Sequence, residues 1–149
     1  AITAAIMLAI EVGILAVFMI ALDFVPPITI LLLPLVLALE FIFVVGVCLP
    51  LSVLNVKFKD TEFIWGVVLS AGFFLTPIFY QFDMLPEYMQ SILQFSPMVQ
   101  ILTMAHHVVL YGILPSLNTV LYAVGSISVV TAIGYLIFRK YQAKVVEEM

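Results

Sequence analysis

Two carboxylates stand where few charges are tolerated. Glu11 lies near the middle of the apolar run 2–22 and Glu40 near the middle of 28–54, with no Lys or Arg in either run to pair with them. An acidic side chain at that depth of a bilayer costs about 2.5–3.5 kcal/mol on insertion scales, the figure given for Asp. Desolvation favours the neutral acid. A proton or cation relay is one use of such residues; a protonated carboxyl hydrogen-bonded between helices is the plainer one, and 28–54 offers almost no further polar residues for a relay.

A second set of polar groups lies between the prolines at 97 and 115. Gln100, Thr103, His107 and Tyr111 fall at i, i+3, i+7 and i+11, which is one stripe of a helix. Polar stripes at membrane depth are tolerated where they face protein or a water-filled cavity, so these residues are candidates to line a translocation path. His106 and His107 diverge by about 100° on a helix, and no carboxylate or Cys stands four residues from either, which argues against a metal. Aromatic residues crowd the region just before and within this stretch, with Phe79, Tyr80 and Tyr88 the candidates for an outer gate. They read as a membrane-surface belt, or as rings around an exit mouth that stack on sugar faces. Cys48 has no cationic neighbour to stabilise a thiolate and reads as a packing residue. There is no phosphate loop, nucleophile elbow or zinc spacing, so the sequence predicts no enzyme, cofactor or metal site.

The elements that must position these groups follow from composition. Apolar residues make up 65% of the 149 and charged ones 9%, against roughly half and about 25% in soluble domains. A chain this short cannot bury that much apolar surface from water, so its solvent is lipid. With a net charge of −4 and five Lys or Arg, nucleic-acid binding has no support. A hydrocarbon core about 30 Å thick needs about 20 helical residues. Runs of that kind occupy about 2–22, 28–54, 63–82 and 117–138, bounded by Asp23, Pro26-Pro27, the charged turn at 57–62, and Arg139-Lys140.

Positive residues near span ends prefer the cytoplasm, which puts Lys57, Lys59, Arg139, Lys140 and Lys144 on one side. An even number of crossings must then separate 57–62 from 139–144. The prediction is an all-α, polytopic membrane protein with four transmembrane helices plus a re-entrant helical hairpin on the outer side at about 86–112, in a single transmembrane domain over 1–149. Pro77 interrupts the third span, Pro86 and Pro97 start two short helices, and Gly112 and Pro115 end the second. Ala5, Ala9 and Gly13 form a small-residue run opposite Glu11 on the first span, and Gly125, Ser128 and Ala132 repeat the theme on the last. The first span is therefore expected to be enclosed on two faces by other helices or another subunit. The chain opens Ala-Ile-Thr with no basic segment ahead of the apolar run, which is not the pattern of a secretory signal and is expected of a piece of a longer protein.

The stretch Leu54-Asn55-Val56-Lys57-Phe58-Lys59-Asp60, continuing to Phe73-Phe74-Leu75-Thr76-Pro77-Ile78-Phe79-Tyr80, resembles the permease subunits of ABC-2 type exporters, in particular the polysaccharide and polyol-phosphate exporters of O-antigen, capsule and teichoic acid. Met84-Leu85-Pro86-Glu87 and Ser96-Pro97-Met98 continue the pattern. Members often carry an Arg in the second hairpin helix, where this chain has His106-His107. The resemblance covers about 50–115 and implies the C-terminal part of a six-span permease. It implies a homodimeric permease in a bacterial or archaeal cytoplasmic membrane, with ATP hydrolysis on separate ATP-binding-cassette subunits. The cargo would be a lipid-linked glycan, gated by the outer hairpin. An ABC-2 permease for drugs or small lipids shares that architecture, and a proton-coupled carrier using Glu11 and Glu40 is the reading from a different class.

Overall fold

The computed structural model describes residues 2–58, 60–76, 78 and 84–147. All regular structure among them is helical: α1 (Ile2–Ala21), a 3-10 turn (Ile28–Leu32), α2 (Leu33–Lys57), α3 (Thr61–Leu75), α4 (Glu87–Leu93), α5 (Pro97–His106), a π turn (His107–Tyr111) and α6 (Leu117–Glu147). Two segments are both long and apolar enough to cross a bilayer, Ile28–Val56 and Leu117–Gln142. The 20 residues of α1 reach about 30 Å and the 15 of α3 only about 22 Å. Helix α3 stops where the sequence says it must: Thr76 precedes a proline and takes extended backbone, φ −82° and ψ 129°, the conformation that position favours. Helix α3 covers the expected third span, 63–82, as far as Leu75, and residues 77 and 79–83 lie outside the described ones.

Helices α2 and α6 form the spine. Thr131 of α6 donates to the carbonyl of Ile42, 3.4 Å away, and a Cβ built on Gly46 would sit 2.6 Å from the Thr131 hydroxyl. One turn further on, a Cβ on Gly134 would collide with the Gly46 carbonyl oxygen and lie 3.2 Å from Pro50 Cδ. At the other end, Leu32 and Val36 share a cleft with Pro115 and Val120. Residue numbers rise together on both helices, so the pair is parallel. The contact has a specific chemical cause: Pro50 has no N–H for the carbonyl four residues before it, which is that of Gly46. The freed oxygen faces the Cα of Gly134, placed for a weak Cα–H···O contact of the kind that recurs at helix interfaces.

Helix α5 and the π turn complete the core against this spine. Ile101, Met104, Val108 and Val109 are buried with Val36 of α2 and Ala123 and Ile127 of α6. Met104, Val108 and Ile127 are its largest fully buried side chains. Among the described residues helix α1 adds only Met19 to this cluster, from its partly buried rim. The α5 end is clasped to the start of α2: Thr29 donates to the Val108 carbonyl at 2.8 Å, and Gly112, at φ +66°, brings the chain against Pro27, whose Cβ lies 3.0 Å from where a side chain would begin. A residue with φ positive and no room for Cβ is naturally glycine.

Replacing Gly134 by Ala should destabilise the α2–α6 pair by about 1–3 kcal/mol, the cost of overpacking a closed interface, read as a lowered unfolding midpoint in detergent. Ala at Gly125, which has open space around it, should leave the midpoint unchanged. Thr29→Val removes one interhelical hydrogen bond and should cost about 0.6 kcal/mol, with about 1.7 as the ceiling for such bonds in membranes, while Thr29→Ser should restore it.

Candidate functional site

Between α2, α3 and the α4–α5 hairpin lies a cavity of about 640 Å³. Its walls are Glu40, Phe43 and Val47 of α2 and Trp65, Leu69 and Phe73 of α3, closed at one end by Ser96 and Val99. Helix α3 follows directly on the end of α2. There the Thr61 hydroxyl bonds the carbonyls of Phe58 at 2.6 Å and Leu54 at 3.2 Å. From that corner α3 returns alongside α2, with Trp65 beside Cys48 and Leu51. Polar groups are sparse in the lining. Thr76 is buried and its hydroxyl is already donated to Gly72 at 2.8 Å.

Among the described residues Glu40 is the single carboxylic acid in that lining, and its carboxyl takes no hydrogen bond from any of them. Glu11, exposed on α1, is close enough to interact with it electrostatically. The structure thus brings together the two acids that the sequence singled out. On the small-residue face of α1, no described atom beyond the helix itself lies within 4 Å of a Cβ built on Gly13.

The polar stripe of the second hairpin arm is placed differently from the acids. Gln100 is buried and its side-chain amide donates to the Gln94 carbonyl across the hairpin bend. Thr103 donates to the Val99 carbonyl one turn back, at 2.8 Å. His107 begins the π turn, with its ring edge-on to Tyr111 at 6.0 Å between centroids, and its Nδ1 is buried without a partner among the described residues. None of the four lines the 640 Å³ cavity. Tyr88 is exposed on α4; Phe79 and Tyr80 lie outside the described residues. The first arm is held at its start by the Gln90 side chain, which donates to the Leu85 carbonyl at 2.7 Å. Among the described residues no group of three or more His, Cys, Asp or Glu converges as metal ligands would.

Sequence reasoning missed Thr29 and the contacts of Thr131 and Gly134 with α2. For the latter a signal existed, since Pro50 stands four residues after Gly46 and marks a carbonyl without a helical donor. The expected small-residue face of α6, Gly125, Ser128 and Ala132, is exposed, and the helix packs instead through Ala123, Ile127, Thr131 and Gly134.

Residues 1–110 match the family model of the ABC-2 type transporters. Two O-antigen export system permease proteins RfbA from Klebsiella pneumoniae are 28% and 30% identical to the chain over 116 residues. The aligned part is 77% of this chain and 44% of each relative, so the chain spans less than half the length of the relatives it matches. A family match over more than two thirds of the sequence, in a helical protein with apolar segments long enough to cross a bilayer, makes this chain a member of the ABC-2 type transporter family of membrane permeases.

Proposed function

We infer that the chain is part of the permease of an ATP-driven exporter that moves a lipid-linked polysaccharide or polyol-phosphate across the cytoplasmic membrane of a bacterium or archaeon. Two permeases enclose the path, and separate ATP-binding-cassette subunits on the cytoplasmic side hydrolyse the nucleotide. The substrate class rests on the relatives, both O-antigen export permeases by name. In this reading residues 1–149 form one transmembrane domain of four crossings and an outer re-entrant hairpin. Gln100, Thr103, His107 and Tyr111, with Phe79, Tyr80 and Tyr88, belong to the outer gate.

The observation that carries the topology is the parallel spine. Lys57 is the last residue of α2, and Arg139 and Lys140 stand near the end of the apolar part of α6, which runs on to Glu147; parallel packing brings both basic clusters to one end, as the preference of basic residues for the cytoplasm requires. Everything between α3 and α6 must then begin and end at the opposite face. The hairpin fits that constraint: Leu93 and Val99, at its bend, share a cavity with Glu40, while Val108 and Gly112 return to Thr29 and Pro27 at the start of α2. Helix α5 is 10 residues, about 15 Å, which is half a hydrocarbon core.

Two measurements test this reading. With Cys48 replaced, single cysteines at Lys57 and Lys144 should both be labelled by a membrane-impermeant maleimide only from the cytoplasmic side of sealed vesicles; labelling from opposite sides would overturn the topology. The intact protein should co-purify with an ATPase subunit whose hydrolysis rises when lipid-linked glycan is supplied, and transport in the absence of any ATPase would overturn the exporter reading. Glu11→Gln with Glu40→Gln separates the alternative: an ATP-driven exporter keeps most of its flux, whereas a proton-coupled carrier loses it.

A further inference from the structure

We propose that the cavity between α2 and α3 is a binding site for lipophilic organic cations, with Glu40 as the counter-ion. The inference goes beyond the exporter reading and does not depend on it, since it needs only the cavity and its charge. Three features on different elements converge. The volume, about 640 Å³, falls within the roughly 300–1,000 Å³ of cavities that take drug-sized ligands. The walls are apolar and carry the rings of Phe43, Trp65 and Phe73, whose faces attract a cation. The Glu40 carboxyl in the lining has no hydrogen-bond partner among the described residues.

Charge complementarity selects this ligand over the other occupants of such a space. No Lys or Arg occurs from residue 1 to 56 or from 60 to 138, and Glu11 adds a second acid within electrostatic range. An acyl chain would fill the apolar walls but leave the carboxyl unanswered, and an unanswered polar group in a low-dielectric site is costly. A metal ion would need ligands that do not converge here among the described residues. A bulky cation with apolar substituents satisfies both requirements.

The test is equilibrium binding of radiolabelled tetraphenylphosphonium to the intact protein in phosphatidylcholine nanodiscs, with empty nanodiscs subtracted. Binding should saturate, weaken at least about tenfold with Glu40→Gln, weaken less with Glu11→Gln, and resist competition by neutral tetraphenylmethane, because the ion pair in a low-dielectric site carries the selectivity. Leu69→Trp, which fills the cavity from α3 while keeping the acid, should abolish binding in protein that still elutes as the parent does. Equal binding by the Glu40→Gln variant, retention of binding by Leu69→Trp, or uptake no greater than that of empty nanodiscs would each overturn the proposal. So would copper-catalysed disulfide formation between Cys48 residues of two copies, since a second copy would then occupy the groove.

Discussion

The structure depends on a backbone contact that two absences make possible. Pro50 lacks an N–H, so the Gly46 carbonyl has no helical donor, and Gly134 lacks a Cβ, so its Cα can approach that oxygen. In lipid there is little hydrophobic drive for one apolar helix to prefer another, and association rests on close packing and polar contacts. An interface of this kind therefore carries an unusual share of the specificity. The Thr131 hydroxyl, directed at the Ile42 carbonyl, adds a polar contact one turn earlier. Together they fix α2 and α6 as a parallel pair in a defined register.

A parallel pair constrains everything between its members. Helix α3 turns back from the end of α2 at the Thr61 corner, and two short helices, α4 and α5, stand between it and α6. They are too short to span, and the second closes the core by laying Ile101, Met104 and Val108 across the crevice between α2 and α6. Thr29 meets Val108 within the π turn that follows α5. Such turns inside or at the end of helices are rare and concentrate at functional sites, and here the His107 Nδ1 is buried without a partner among the described residues.

Much of this was legible in the sequence, and the reasons are physical. Lipid as solvent, the helical class, the break before Pro77 and the starts at Pro86 and Pro97 follow from composition and from proline stereochemistry, which act locally. Glu11 and Glu40 stood out because an acid within an apolar run costs several kilocalories wherever the helix packs. Which face of α6 packs was not legible from its small residues: Gly125, Ser128 and Ala132 offer as good a stripe as Ala123, Thr131 and Gly134. The choice was made by the partner, through the carbonyl that Pro50 leaves free on α2. The polar stripe Gln100, Thr103 and His107 was found by its period, but period cannot say that Gln100 and Thr103 spend their donors on nearby backbone carbonyls. Thr29 had no local signal, because its partner is 79 residues away.

The placement of Glu40 relative to the spine separates stability from chemistry along one helix. Glu40 and Gly46 are six residues apart, which at about 100° per residue leaves them roughly 120° apart around α2. The face bearing Gly46 meets α6, while the face bearing Glu40 looks into the cavity beneath α3. An intramembrane acid weakens the helix that carries it, and this chain sets that cost on a helix whose opposite contacts are its tightest. The α2 wall is fixed by the approach of Gly46 to Gly134. The acid therefore sits on the helix that this contact holds, with rings on both walls, Phe43 on α2 and Trp65 and Phe73 on α3.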